Sequence, residues 1–164
     1  MKIKKIFCLL FYKNYSKIST SKIKKEVFTN MQELKVKDVM TRGVVTIDED
    51  ASVQQAVEIL ADYDISGLVV TQVNSELVGV LSEIDVMKVF NEDLEKIKVK
   101  EIMHSPVITI NKEDSLRKAS QAMKDNNIHR LVVQQEVKGE EGTRHIPNGI
   151  ISLSDIIRAI AGRR

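Results

Sequence analysis

The sequence predicts an α/β protein made of two tandem β-α-β-β-α repeats packed as a pseudo-two-fold pair, and three observations carry that prediction. First, Val36-Lys37-Asp38-Val39-Met40 with Val44-Val45-Thr46-Ile47 returns 63 positions later as Val99-Lys100-Glu101-Ile102-Met103 with Val107-Ile108-Thr109-Ile110. Second, the register holds through two more elements, where Ser52-Val53 and Ile65 with Leu68-Val69-Val70 become Ser115-Leu116 and Ile128 with Leu131-Val132-Val133. Third, Gly79-Val80-Leu81-Ser82 with Asp85 matches Gly149-Ile150-Ile151-Ser152 with Asp155 at an offset of 70, so the second copy carries seven extra residues inside one hairpin. Self-similarity of this length identifies a repeated supersecondary unit. A unit of about sixty residues is too small to bury both faces of its sheet, so two must share a core.

Each unit opens with a short helical turn, at residues 37–40 and 100–103. Residues 44–47 then form a β-branched run that reads as a buried strand. A helix follows in each repeat: Ser52 and Gln55 form a capping pair, and Val53, Ala56, Val57 and Leu60 fall on one face at helical spacing. Leu116, Ala119, Ser120 and Met123 occupy the same places in the second copy. Next come two strands, 67–72 and 77–81, joined by a tight turn at Asn74-Ser75. Their counterparts are 130–136 and 146–151, and the connection between them holds Gly139, Gly142, Pro147 and several charges, which reads as a longer exposed loop. Helices at 83–90 and 153–161 close the units. The repeats thus occupy 35–91 and 99–161, with a charged linker at 92–98.

Apolar residues make up 43% of the chain and charged residues 29%, a balance that belongs to a globular protein with a real core. Four Phe, three Tyr and no Trp leave that core to Val, Ile, Leu, Ala and Met, with Met40, Met87, Met103 and Met123 read as core fillers. The lone cysteine, Cys8, implies a reducing, cytoplasmic compartment. His104, His129 and His145 stand at no zinc-like spacing, so no metal is expected.

The net charge of +2 hides an asymmetry: residues 1–30 hold eight Lys and one Glu, while residues 31–164 hold seventeen basic and twenty-two acidic side chains. The mildly acidic repeat region argues against a nucleic-acid surface there. The basic extension reads as a disordered tail or a start-site artefact, Met31 being a natural alternative start. Its apolar run at 6–12 is far too short to span a bilayer.

The paired openings, the Thr-Ile strands, Ile65-Ser66-Gly67-Leu68-Val69-Val70 against Ile128-His129-Arg130-Leu131-Val132-Val133, and the twin heptapeptides 79–85 and 149–155 resemble a tandem pair of CBS (cystathionine β-synthase) domains, or Bateman module, over residues 35–161. The resemblance implies a non-enzymatic sensor that binds AMP, ADP, ATP or S-adenosylmethionine between its repeats and requires no cofactor. Asp85 and Asp155 match the carboxylates that accept from ribose hydroxyls, with Ser82 and Ser152 near ribose or phosphate. A carboxylate suits that role because it accepts from two vicinal hydroxyls at once. The same residues also read as helix caps, and the two roles are compatible.

The family's clefts are built crosswise. Carried over, Ser82 and Asp85 share one cleft with Val107, Ile128, His129 and Arg130; Ser152 and Asp155 share the other with Thr41, Arg42, Val44, Ile65 and Ser66. His129-Arg130 matches a phosphate-binding basic pair, and Arg suits bidentate phosphate contact, whereas Ser66-Gly67 cannot neutralise a phosphate. The Asp85 cleft is therefore the expected site for a phosphorylated ligand. His129 reads equally as a strand-edge residue satisfied by a neighbour. Lys88 and Arg158 read as solvated helix faces.

The leading expectation is a stand-alone regulatory module that forms a homodimer and modulates a partner protein. Two alternatives stay open: a dimerisation scaffold with vestigial clefts, and a nucleic-acid-linked regulator acting through the Lys-rich arm. No nucleophile-base pair or phosphate-cradling glycine loop points to an enzyme.

Overall fold

The computed structural model describes residues 34–139 and 142–161, and the expected basic extension at 1–30 lies outside them. The repeats at 35–161 fall within one compact unit. Its elements in chain order are a 3-10 turn (Val36–Asp38), β1 (Thr41–Arg42), β2 (Thr46–Asp48), α1 (Val53–Asp62), β3 (Gly67–Thr71), β4 (Leu77–Ser82), α2 (Glu83–Lys88), α3 (Val99–Ile102), β5 (Thr109–Asn111), α4 (Leu116–Asp125), β6 (Arg130–Gly139), β7 (Gly142–Ser152) and α5 (Leu153–Ile160).

Local chemistry explains the helices. Gln55 N donates to Ser52 Oγ at 3.2 Å and Ser52 N donates back to Gln55 Oε1 at 3.0 Å, the expected capping box of α1. Ser115 caps α4 through Lys118 N at 3.2 Å. Val53, Ala56 and Leu60 of α1 and Leu116, Ala119 and Met123 of α4 are buried, as the helical period requires. Beyond each helix the chain turns through a left-handed residue, Asp64 at φ 50° and Asn127 at φ 52°, again 63 positions apart.

Two sheets result. One has the order β2-β3-β4, with β2 and β3 parallel and β3 and β4 antiparallel. The other has the order β1-β7-β6-β5, with β5 and β6 parallel and β6 and β7 antiparallel. The second sheet thus borrows β1 from the first repeat: Thr41 pairs with Ile150 and Arg42 with Gly149. The loan is returned, because His104 of the second repeat bridges to Val80 of β4, exchanging backbone hydrogen bonds of 2.8 and 3.1 Å.

The segments leading into these strands are exchanged too. Val36 N donates to Asp114 O and Val99 N to Ala51 O, each at 2.9 Å. Ion pairs repeat the pattern at the surface: Lys35 and Lys37 each reach Glu113 at 2.8 Å, and Lys100 reaches Asp50 at 2.6 Å. Hydrogen bonds and charge from the two lysines lower the Glu113 carboxyl to about 2. The first repeat's core (Ile47, Val53, Ala56, Leu60, Leu68, Val70, Leu81, Val86) is completed by Val99 of the second, with Ile102 and Met103 packed against it.

Three expectations are corrected. Residues 137–139 and 142–145 are paired strand, not a loop: β6 and β7 stay paired out to Gly139 and Gly142, and Pro147 sits opposite Gln134 where the register shifts. A proline at an irregularity forfeits no ladder bond, and so did not end the strand. Met87 is 61% exposed and does not fill the core, and among the described methionines Met123 is the fully buried one. The helix expected over 83–90 ends at Lys88.

The glycine that opens each heptapeptide has a steric reason. A Cβ on Gly149 would collide with the Thr41 carbonyl oxygen, and one on Gly79 with the Met103 thioether. Gly149→Ala is therefore expected to cost about 1–3 kcal/mol, since backbone in a paired strand must shift. Gly79→Ala should cost less, because a flexible Met side chain can swing aside. Urea unfolding ranks the two, and equal losses would mean that β1 yields as readily as Met103.

Candidate functional site

The last strand of each repeat ends in a serine at the N-cap position of the following helix. At the start of α2, Asp85 Oδ2 accepts from Ser82 N at 3.0 Å and from Ser82 Oγ at 2.5 Å. At the start of α5, Asp155 Oδ2 accepts from Ser152 N at 2.9 Å and Ser152 Oγ at 2.6 Å, and Asp155 N donates to Ser152 Oγ at 3.3 Å. Asp reaches far enough for this box. Only one carboxylate oxygen is spent on the cap in each case, so capping leaves Oδ1 available for another role.

The two aspartates differ in what meets Oδ1. Lys88 Nζ, one turn further along α2, donates to Asp85 Oδ1 at 2.8 Å. His104 Nε2, from the opposite repeat, lies 2.8 Å from the same oxygen. Asp85 is 1% exposed beneath these two groups, which are themselves 58% and 66% exposed. Arg158, the equivalent of Lys88, stands 3.6 Å from Asp155 Oδ1 as an ion pair without a hydrogen bond, and Asp155 is 16% exposed.

Burial pushes the Asp85 carboxyl up. Hydrogen bonds from Lys88 and Ser82, with the neighbouring His104, outweigh that and hold it below the ordinary carboxylate value.

His104 escaped the sequence reading. It occupies the position of Thr41 in the other repeat, so the 63-residue offset, applied to the Thr41 that the family resemblance sets beside one cleft, points to His104 beside the other. Lys88 is exposed as expected, yet it is anchored to Asp85 and is not simply solvated. Arg130 and Ser66, expected in different clefts, are joined: Arg130 Nη1 donates to Ser66 Oγ at 3.0 Å. His129 is exposed at the base of β6, its carbonyl accepting from Leu153 N at 3.0 Å; Ser66 O does the same for Glu83 N at 3.3 Å.

Val44, Val107, Ile65 and Ile128 are half-buried. Ile65 and Ser66 also line a hollow with Leu60, Glu83 and Val86. Thr41 and Arg42 are exposed, and Arg42 faces a second hollow with Lys37, Lys112, Glu113 and Asn148. Neither hollow contains Asp85 or Asp155. Among the described residues no His, Cys, Asp and Glu side chains form a metal-holding group, and no helix is long and apolar enough to cross a membrane.

A family model for the CBS domain matches residues 36–92 and 99–162. A Methanocaldococcus jannaschii protein, MJ1232, is 33% identical over 135 residues, covering 82% of this chain and 42% of that protein. The chain thus spans less than half the length of the curated relatives it matches first. Among solved structures, the CBS domain of the bacterial CNNM/CorC family Mg2+ transporter in complex with ATP is similar at a TM-score of 0.72 and 21% identity, over 89% of this chain and 100% of that one. The CBS domain pair of protein MJ0100, in complex with 5'-methylthioadenosine and S-adenosyl-L-methionine, is similar at 0.67 and 24% identity, over 80% of this chain and 98% of that one. These likenesses show the fold.

The depressed Asp85 carboxyl gives a pH prediction. A carboxyl held lower in the folded than the unfolded state contributes stability that is present above its ordinary value and is lost as pH falls through the folded value. Lys88→Met removes the leading hydrogen bond, so the Asp85 carboxyl should titrate at higher pH and this acid-labile contribution should shrink. Carboxyl carbon NMR against pH reads the shift directly, and an unmoved titration would show that Lys88 does not hold Asp85 in solution.

Proposed function

The chain belongs to the CBS domain family, and on that premise we propose that it is a regulatory module that binds an adenosine-containing ligand (AMP, ADP, ATP or S-adenosylmethionine) between its repeats. The observation that carries this reading is the duplicated Ser-x-x-Asp cap. It fixes a carboxylate at the start of the final helix of each repeat through one oxygen, and two such carboxylates are suited to ribose hydroxyls. The ATP, methylthioadenosine and S-adenosylmethionine held by the two similar structures support the ligand class. His129 and Arg130, exposed together at the start of β6, are the hydrogen-bonding side chains offered to a phosphate. Ligand binding would shift the conformational equilibrium of the pair and so change its affinity for a regulated partner in a reducing, cytoplasmic setting.

A homodimer completes the reading. Met87 and Ile157 are equivalent positions of α2 and α5, and both are exposed, as are Phe90 and Ile160, which are again 70 apart. A monomer seldom leaves such large apolar groups bare in matched sets. The occupant we assign to these helix faces is a second copy of the chain, which brings the same two faces and so satisfies an isologous contact.

Two measurements test these statements. Calorimetric titration of the full chain with AMP, ATP and S-adenosylmethionine should show binding to at least one, weakened about tenfold or more by Asp85→Asn or Asp155→Asn, as losing a charge-assisted hydrogen bond requires. No heat from any of the three would favour a scaffold with vestigial clefts. Separately, light scattering should give twice the chain mass for the wild type and the single mass for Met87→Glu/Ile157→Glu. A wild-type monomer would remove the dimer from the model of action.

A further inference from the structure

The two clefts are not equivalent, and the difference lies in the acceptor capacity of their aspartates. A carboxylate offers about four lone-pair sites. Asp85 has all of them engaged: Ser82 N and Oγ on Oδ2, Lys88 Nζ and His104 Nε2 on Oδ1. Asp155 has Oδ2 engaged by Ser152, while Oδ1 has only the more distant Arg158 beside it among the described residues. Exposure agrees with this count, at 1% against 16%. Asp155 Oδ1 thus keeps acceptor capacity for a ribose diol. A diol cannot reach Asp85 until His104 or Lys88 leaves.

We propose that His104, with Lys88, is a latch over Asp85, which closes that cleft to nucleoside hydroxyls so that the Asp155 cleft fills first. The inference rests on the ligand reading given above. His104 is suited to act as a latch because its backbone is pinned to Val80 by two hydrogen bonds while its ring is largely in solvent. The ring can therefore swing away at the cost of the hydrogen bond, with little packing lost. The equivalent Thr41 is pinned to β7 in the same manner, and no hydrogen bond joins its side chain to Asp155 among the described residues. The Asp85 cleft thus carries a built-in competitor that the Asp155 cleft lacks.

The competitor sets an order of loading and a specificity. A ligand for the Asp85 cleft must displace the imidazole, so one whose phosphate also engages His129 and Arg130 is favoured over a neutral nucleoside. A ligand in the Asp155 cleft needs no such compensation.

Calorimetry with AMP on the full chain isolates the effect when Asp155→Asn disables the open cleft. Asp155→Asn/His104→Ala should bind AMP about tenfold or more tightly than Asp155→Asn alone, and adding Asp85→Asn should abolish the gain. Unchanged or weaker binding on removing His104 overturns the latch and makes His104 a ligand contact or a bystander. No heat from the wild type or any variant overturns the ligand reading itself, and the closure with it. A double-mutant cycle in urea between His104→Ala and Asp85→Asn needs no ligand: non-additive midpoints are expected of a standing contact, and strictly additive ones overturn the latch.

Discussion

Everything in this molecule hangs on the exchange of edge strands between repeats. Each β-α-β-β-α unit has an open edge, and an open edge leaves backbone groups without partners. The chain closes both with the segment that precedes each unit's first long strand: β1 lies against β7, and His104 lies against Val80 of β4. At Gly149 the approach is so close that a Cβ would meet the Thr41 carbonyl oxygen, while Gly79 faces the more yielding Met103 side chain. Cross-repeat bonds from Val36 and Val99, and the ion pairs of Glu113 and Asp50, fasten the same segments further upstream. Neither repeat is a finished structure, which is why the first core counts Val99 among its members.

The exchange also builds the site. His104 meets Asp85 only because its segment has crossed to the other repeat's sheet, where the backbone bridge to Val80 sets it beside the end of β4. The pseudo-symmetry then turns small sequence differences into functional ones. Histidine in place of threonine at one crossing point, and lysine in place of arginine one turn into the final helix, convert a half-open carboxylate into a saturated one. Both copies keep the Ser-Asp cap, so the helix starts are conserved between repeats in form while the chemistry offered to a ligand diverges.

How far this could be read from the chain follows from the range of the interactions. Caps, helix faces and β3-β4 pairing are local, and Ser52, Ser115, Ala56 and Ala119 announced them through spacing alone. The repeat itself predicted the pairing of units, because a period cannot arise from local propensity. The extended hairpin is hard to read from the chain because Gly139, Gly142 and the neighbouring charges carry turn chemistry, while the pairing out to Gly139 and Gly142 is inherited from the buried start of β6. Met87 was misplaced because a methionine at helical spacing looks the same whether its face meets the core or solvent. His104 requires a distance between residues of opposite repeats, whereas Lys88 lies only three positions along the helix from Asp85. The 63-residue offset carries the signal for His104, because His104 is the repeat counterpart of Thr41.

A buried, fully satisfied carboxylate is a costly acceptor to reassign. Removing one donor from a charged group forfeits more than a neutral hydrogen bond contributes, unless an equal donor arrives in the same step. A ribose hydroxyl can be that donor for Asp85, so arrival of ligand and departure of His104 are one exchange and not two events. Because His104 belongs to the other repeat, the exchange breaks a side-chain link between the units while the backbone bridge at Val80 keeps them registered. A ligand taken up at Asp85, as proposed, would therefore act differentially on the seam between repeats, which is the condition for a small molecule to bias one arrangement over another. At Asp155, where no cross-repeat hydrogen bond stands on the carboxylate among the described residues, the same ligand would add contacts without removing any. On the proposed ligand reading, the asymmetry of the two aspartates would separate a site that holds ligand from one that reports it.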